Sequence, residues 1–289
     1  MIKIKTPATT SNLSVGFDTV GIALNIYNVF SFKEHKKNVV KGFKSSFSVN
    51  SNLVLKAYIA FALKYLEEKE IKNVEITLEE NNIPVSRGLG SSASCILSGI
   101  LAANEINKLH KSLDECVNFA CELEGHSDNV FACAYGFLNA SCKSGDKYIH
   151  KVYEVSNSLN FYLMIPPQEG QTKELRNILP KKIDFTDAIY NLSRIIFLPD
   201  AFKKGDFKLL KNILKDELHE KYRYPYIPLY NEIKQLSTRE DIIVSISGSG
   251  TSVLLISDLE TIEIPEILRN VFKLIKVDIS EGTKIEVIE

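Results

Sequence analysis

Between an alternating segment at 74–78 and a helix of small residues at 91–109 stands Pro84-Val85-Ser86-Arg87-Gly88-Leu89-Gly90-Ser91-Ser92-Ala93-Ser94. Glycine is sparse, 14 of 289 residues, so two within three positions mark a backbone conformation that other residues avoid. A chain turning here can aim successive N–H groups into one concavity. Ser91 and Ser92 add hydroxyls, and the helix amino terminus adds partial positive charge. That combination suits a di- or triphosphate. No Lys-Ser or Lys-Thr closes the turn, so it is not a Walker A loop, and the spacing is not that of the dinucleotide G-x-G-x-x-G turn. Standing alone, it is equally a tight strand-to-helix connection.

Two further glycine pairs bear on that choice. Pro7-Ala8-Thr9-Thr10-Ser11-Asn12-Leu13-Ser14-Val15-Gly16-Phe17-Asp18, followed by Gly21, packs hydroxyls, an amide and a carboxylate into one non-helical stretch. Ile246-Ser247-Gly248-Ser249-Gly250-Thr251-Ser252-Val253 puts small residues between two strands, where bare backbone permits close approach of a ligand. In isolation the latter is most simply a hairpin turn.

Charge narrows the partners. Thirty-five basic and 36 acidic side chains leave a net charge of −1, which gives no footprint for nucleic acid or anionic lipid. No apolar run spans a bilayer, and Met1 to Pro7 lacks the apolar centre of a signal peptide, so neither a membrane nor a nucleic-acid partner is expected and the compartment is the cytoplasm. Five cysteines without a CxxC pair read as reduced thiols. Only six of the basic residues are arginine, so each is a candidate for planar, two-pronged recognition.

Residues 3–5 and 28–33 read as strands, 52–69 as a helix, and 74–78 as another strand. Ser112-Leu113-Asp114-Glu115 is a capping box that opens a helix stopping at Gly125. The texture changes around 144–158, which divides the chain into units at 1–155 and 156–289. The second unit reads as a strand at 161–165, helices near 185–204, 206–218 and 227–237, strands at 242–247 and 252–256, a helix near 263–272, and strands near 273–279 and 284–288. There is no regular βαβα rhythm, so the class is α+β.

The segments at 7–18, 84–94 and 246–253, in that order, resemble the three motifs of the GHMP kinases, the superfamily of galactokinase, homoserine kinase and mevalonate kinase. The middle one, P-x-S-x-GLGSSAS, is similar to the superfamily's ATP loop almost residue for residue. The opening P-A-T-T-S-N-L-S-V-G-F-D, then Glu124-Gly125-His126-Ser127-Asp128-Asn129-Val130 and Tyr222-Arg223-Tyr224-Pro225-Tyr226-Ile227-Pro228, resemble the homoserine kinases within it. The likeness covers the whole chain. It departs at Ser127, where the family usually has Pro, and at Thr251-Ser252, where it has Pro-Thr. The resemblance implies a two-domain α+β fold, with a ribosomal-protein-S5-domain-2-like first domain and a ferredoxin-like second. It implies ATP and Mg²⁺ in the cleft, with Asn52 and residues 84–94 contacting nucleotide. It also implies phosphorylation of L-homoserine for threonine synthesis and a homodimer. Alternatives are another small-molecule kinase of the superfamily, of mevalonate or sugar type, or a catalytically inactive binding protein.

Magnesium takes oxygen ligands, typically one or two carboxylates or hydroxyls besides the phosphates. On the helix begun by Ser112, Glu124 falls on the apolar face with Val117, Ala120 and Cys121, whereas Glu122 points away. A carboxylate on a buried stripe needs a positive partner, so Glu124 is the candidate, with Ser91 or Ser92 as hydroxyl and Glu122 in reserve. For the acceptor, the resemblance assigns Thr172, Arg176 and Arg223 to the carboxylate and Asn12, Asp18 and Asn129 to the ammonium and hydroxyl. It also puts Asn129 where some relatives carry an aspartate base. An amide cannot take the proton, so catalysis would rest on positioning and charge neutralisation by Glu124, Ser92 and Asn129. Asp128 is the alternative base.

Overall fold

The computed structural model describes residues 1–44 and 47–288. Ile2–Asn12 (β1) and Gly16–Glu34 (β2) form a long antiparallel pair. Then come Val39–Lys41 (β3), Leu53–Leu63 (α1), Val74–Asn81 (β4), Ser91–Ile106 (α2), Leu113–Glu124 (α3) and Asp128–Tyr135 (α4). Leu138–Ser144 (β5) and Lys147–Tyr153 (β6) close this part as a hairpin. The remainder runs Asn160–Ile165 (β7), Thr172–Asn177 (α5), Phe185–Ile195 (α6), Leu198–Lys204 (α7), Phe207–Ile213 (α8), Glu220–Arg223 (α9) and Tyr230–Leu236 (α10). It ends with Ile243–Ile246 (β8), Val253–Ser257 (β9), Glu266–Val271 (α11), Lys273–Val277 (β10) and Lys284–Val287 (β11).

One sheet has the order β11-β1-β2-β4-β3 with β5 attached to β2 and β6 to β5, and the other the order β10-β7-β9-β8. Mostly antiparallel sheets with helices gathered on their faces make the fold α+β, as the pattern of segments indicated. The first sheet buries Phe30, Phe32 and Ile76 against Tyr58, Phe61, Leu97, Ile100, Val117 and Phe131 of the helices. A second core joins Val20, Ile22 and Leu24 to Phe161, Leu163, Phe202 and Leu254, so the two sheets share apolar packing. The chain passes from the first sheet to the second between β6, which ends at Tyr153, and β7, which begins at Asn160, then returns, because β11 pairs with β1.

Several boundaries differ from the expectation. The helix anticipated over 52–69 ends at Leu63, and only a short 3₁₀ turn follows at Glu68–Glu70, where four successive charged residues offer no face to bury. The one expected at 185–204 breaks before Pro199, which has no N–H to continue the ladder. Helix α4 and the β5–β6 hairpin were not anticipated. The texture change begins at that hairpin's turn, where Ser144 pairs with Lys147. The Ser112 capping box forms, with Glu115 N donating to Ser112 Oγ at 3.2 Å and Ser112 N to Glu115 Oε2 at 2.9 Å.

Candidate active site

The three glycine segments meet on one cavity, lined by Ser11, Asn12 and Asp18 from the first, residues 85–92 from the second, and Gly248 and Ser249 from the third. What brings them together is backbone contact. Gly88 (φ +70°) lies so close to the third segment that a Cβ there would sit 2.0 Å from the Ser247 carbonyl oxygen. At Gly90 (φ +70°) a Cβ would sit 1.9 Å from Thr9 Oγ1. The loop's carbonyls are tied outward. Ser86 O accepts from Gly170 N (2.7 Å), Arg87 O from Ser252 N (3.3 Å), Gly88 O from Ser247 Oγ (2.8 Å) and Leu89 O from Thr9 N (3.2 Å). Among the described residues, the N–H groups of Gly88, Leu89, Gly90 and Ser91 have no protein acceptor. Carbonyls bound behind and donors left free make an anion cradle, continued by the amino terminus of α2.

Arg87 holds the cradle from outside. Its guanidinium donates to Pro166 O (3.0 Å), Pro167 O (2.5 Å) and Val85 O (2.8 Å). Asn52 lines the cavity too, and its Oδ1 caps α1 by accepting from Leu55 N at 3.1 Å. Three residues of the anticipated loop do not line it. Pro84 precedes it, Ala93 is fully buried in the helical core, and Ser94 Oγ bonds Thr6 Oγ1 at 2.7 Å.

The last turn of α3 delivers Glu124 to this loop. Ser92 Oγ donates to Glu124 Oε2 at 2.7 Å. Burial raises the Glu124 pKa, and it outweighs the lowering from His126 and the Ser92 bond. Glu122, on the other face of α3, is half exposed, 4.0 Å from Lys64. Gly125 (φ +85°) ends α3, and three residues on, Asp128 starts α4. His126 between them has Nδ1 at 2.7 Å from Asp128 Oδ1 and Nε2 at 3.8 Å from Glu124 Oε1. Burial opposes a charged ring, but Asp128 and Glu124 prevail and raise the His126 pKa. Burial likewise opposes ionisation of Asp128, and the His126, Ser11 and Asn129 bonds overcome it. Asn129 is spoken for at both ends: Oδ1 accepts from Thr9 Oγ1 (2.7 Å) and Nδ2 donates to Ser11 Oγ (2.8 Å).

Opposite the cradle, Arg176 on α5 forks onto Asp18, at 2.7 and 2.8 Å. The β1–β2 turn runs through left-handed residues 12–14, Asp18 beyond it stands at φ +55°, and Asn12 clamps the segment, accepting from Asp18 N at 3.0 Å and donating to Gly248 O. Thr172 Oγ1 accepts from Ser249 Oγ at 3.2 Å. Arg223 is 1% exposed. It donates to Leu175 O and Gly248 O, both at 3.2 Å, and lies 3.3 Å from His219 Nδ1, with no carboxylate in ion-pair reach among the described residues. Burial, then the neighbouring Arg176, lowers its pKa to about 10. Phe17 separates the two guanidinium groups, 5.2 Å from that of Arg223 and 5.8 Å from that of Arg176. A buried cation facing a cavity without its own anion is a site for a ligand's anion.

The structure therefore gathers Asn12, Asp18, Asn52, Ser91, Ser92, Glu124, Asn129, Thr172, Arg176 and Arg223 on one cavity. It adds residues that the sequence reading did not assign: His126, Ser11, and the wall of Phe43, Lys44, Phe47 and Leu78. His126 stood inside a motif already singled out. The wall had no sequence signal.

Comparison with known proteins bears on these features. Residues 52–137 match the GHMP kinases N terminal domain. A homoserine kinase of Clostridium beijerinckii is 36% identical over 263 residues, which cover 89% of this chain and 87% of that protein. One of Natranaerobius thermophilus is 38% identical over 282 residues, covering 94% and 90%. The chain belongs to the homoserine kinase family. The crystal structure of homoserine kinase from Cytophaga hutchinsonii superposes with a TM-score of 0.80 at 26% identity, over 99% of this chain and 97% of that one. A mevalonate kinase shares the fold alone, with a TM-score of 0.63 at 16% identity over 96% and 98%. Family membership fits a cleft with a cradle of N–H groups at one end and paired charges at the other.

Proposed function

We propose that this homoserine kinase-family chain transfers the γ-phosphoryl group of ATP to the hydroxyl of L-homoserine, a step of threonine synthesis, as a cytoplasmic homodimer. The observation that carries the reading is the pairing of the two cavity ends: on one side backbone donors without an acceptor among the described residues, and on the other a buried arginine without a carboxylate partner among them, beside an Asp18–Arg176 pair. The first suits a triphosphate. The second suits an amino acid, which brings one charge of each sign. Mevalonate or a sugar has no ammonium for Asp18.

On this reading, residues 85–92 hold the triphosphate through backbone N–H groups, with Arg87 fixing the loop and Asn52 lining the nucleotide's end. Glu124, with Ser91 or Ser92, holds Mg²⁺. A largely buried carboxylate of raised pKa, bonded to the Ser92 hydroxyl, fits that ion. Among the described residues no group of three or more His, Cys, Asp or Glu side chains is arranged to hold a metal ion by itself. Bound Mg²⁺ supplies charge neutralisation of the transferring group.

Arg223, Arg176 and Thr172 receive the acceptor's carboxylate, while Asp18 exchanges part of its bond to Arg176 for the ammonium. Asn12 keeps Asp18 in place. Asn129 orients the hydroxyl through the second lone pair of its Oδ1 and cannot take its proton, and Asp128 is committed to His126 and the Asn129 N–H. The acceptor oxygen forms its bond to phosphorus as the β–γ bridging bond breaks, and the proton leaves to phosphate or solvent. Positioning and charge supply the rate. The test is ATP consumption with homoserine, serine, threonine, mevalonate and galactose. Homoserine should give by far the highest kcat/KM, and a preference for mevalonate or galactose would overturn the reading.

A further inference from the structure

Helix α6 is inside out. Phe185, Ile189, Leu192 and Ile196 recur at spacings of four, three and four, the seam one side of a helix presents. They are 80, 48, 64 and 70% exposed, and Ile183 and Phe197 at the two ends add 47% each. The side turned to the protein packs Ile195 on the second core but is otherwise polar. Buried Asn191 donates to Asp216 Oδ1 at 2.7 Å and accepts from Glu217 N at 3.0 Å, and Asp187 pairs with Lys221 at 2.8 Å. A surface helix normally does the reverse.

We propose that α6 is the contact face for a second copy of this chain, with the two helices crossing antiparallel about a two-fold axis between Ile189 and Leu192. This rests on the homodimer read above and assigns its surface. Size supports it. With about 200 Å² for a whole aromatic side chain and less for Ile or Leu, the six residues leave on the order of 600 Å² open, the upper end of patches on monomers. That is most of the roughly 800 Å² per partner in a standard interface.

The face matters to the cavity because of what lies behind it. Asp216, through Oδ2, caps the N–H groups of Leu218, His219 and Glu220, the turn that carries Arg223. Asn191 of α6 grips that same aspartate. Docking of α6 therefore braces the segment bearing the acceptor arginine.

The experiment is sedimentation velocity on the full chain at micromolar concentrations, wild type beside Leu192→Glu, with thermal melts to confirm folding of a variant altered at an exposed position. Wild type should be a dimer, and the variant should weaken association about 100-fold or more. It should also raise the homoserine KM several-fold while leaving that for ATP alone. Cysteines introduced in a Cys142→Ser background read the geometry: Leu192→Cys should cross-link to its own copy, and Phe185→Cys alone should not. A monomeric wild type overturns both dimer and face. A dimer that persists in Leu192→Glu overturns the face only. Efficient self-linking of Phe185→Cys overturns the antiparallel crossing, and an unchanged homoserine KM in a monomeric variant overturns the brace.

Discussion

The two ends of the cavity are built by different means. The phosphate end is backbone: glycines let 84–90, 7–12 and 246–252 touch, and their carbonyls are consumed in that contact. The acceptor end is side chain: charges from β2, α5 and α9, far apart in sequence, meet around Phe17. A backbone-built site tolerates no added atom, whereas a charge-built one tolerates changes of shape and fails on changes of charge. The difference also separates what each glycine does from what its motif suggested. Gly88 and Gly90 are required first by neighbouring protein atoms, with a ligand's approach following from the resulting shape.

The largest effect should come at Gly88. A Cβ at 2.0 Å from Ser247 O, on a residue at φ +70°, cannot be relieved by turning a side chain. Gly88→Ala should cost about 4 kcal/mol of stability, read as a fall in Tm. An unchanged Tm would show that the loop contact yields easily.

Next in size is Glu124→Gln, which should lower kcat by two to three decades, the scale of losing a transition-state charge contact, and raise the Mg²⁺ requirement. Glu122→Gln, half exposed, should change neither. A reversed pattern would detach the metal from the buried face of α3. At the acceptor end Asp18→Asn should raise the homoserine KM roughly tenfold, about one charged hydrogen bond, with ATP unaffected. An equal loss for both substrates would mean that Asp18 supports the whole cavity.

The smallest change concerns the floor behind the acceptor end. Glu220 is buried, and burial, then Asp216, raises its pKa from 4.5 to about 7. A raised carboxyl contributes stability below its unfolded pKa and loses it as pH climbs through the folded one. Between pH 6 and 8 the wild type should lose about 1.4 kcal/mol from this group. Glu220→Gln keeps an oxygen for Ile246 N, Ser14 Oγ and Ser245 Oγ, so its Tm should be flatter across that range. An identical pH slope in both proteins would place the titration elsewhere.

How legible each end was follows from the same contrast. The glycine turn at 88–90, the Ser112 box and the Glu124 face could be read because turns, caps and helix periodicity leave marks within a few residues. Helix α4 could not: eight residues starting three after Gly125 are too few for a periodic signal. The Asp18–Arg176 fork spans 158 residues, and no local pattern says that two such groups will pair. Resemblance had assigned both to the acceptor, one to each charge, but not to each other. The wall at Phe43, Lys44 and Phe47 and the outward face of α6 are likewise tertiary facts, since an apolar stripe reads the same whether it points in or out.

The central claim is that the acceptor end is a receptor for an amino acid's two charges, and Arg223 tests it most directly. Its fork is buried and fixed by two carbonyls, with no carboxylate in ion-pair reach among the described residues, and lysine cannot copy that geometry. The measurement is kcat/KM for homoserine beside its carboxyl-free analogue, 3-aminopropan-1-ol, in wild type and Arg223→Lys. Wild type should strongly prefer homoserine. The variant should lose about 10- to 150-fold for homoserine, equivalent to roughly 1.5–3 kcal/mol, with little change for the analogue or for ATP. Equal losses for both acceptors, or a loss of ATP affinity instead, would contradict a carboxylate clamp at Arg223.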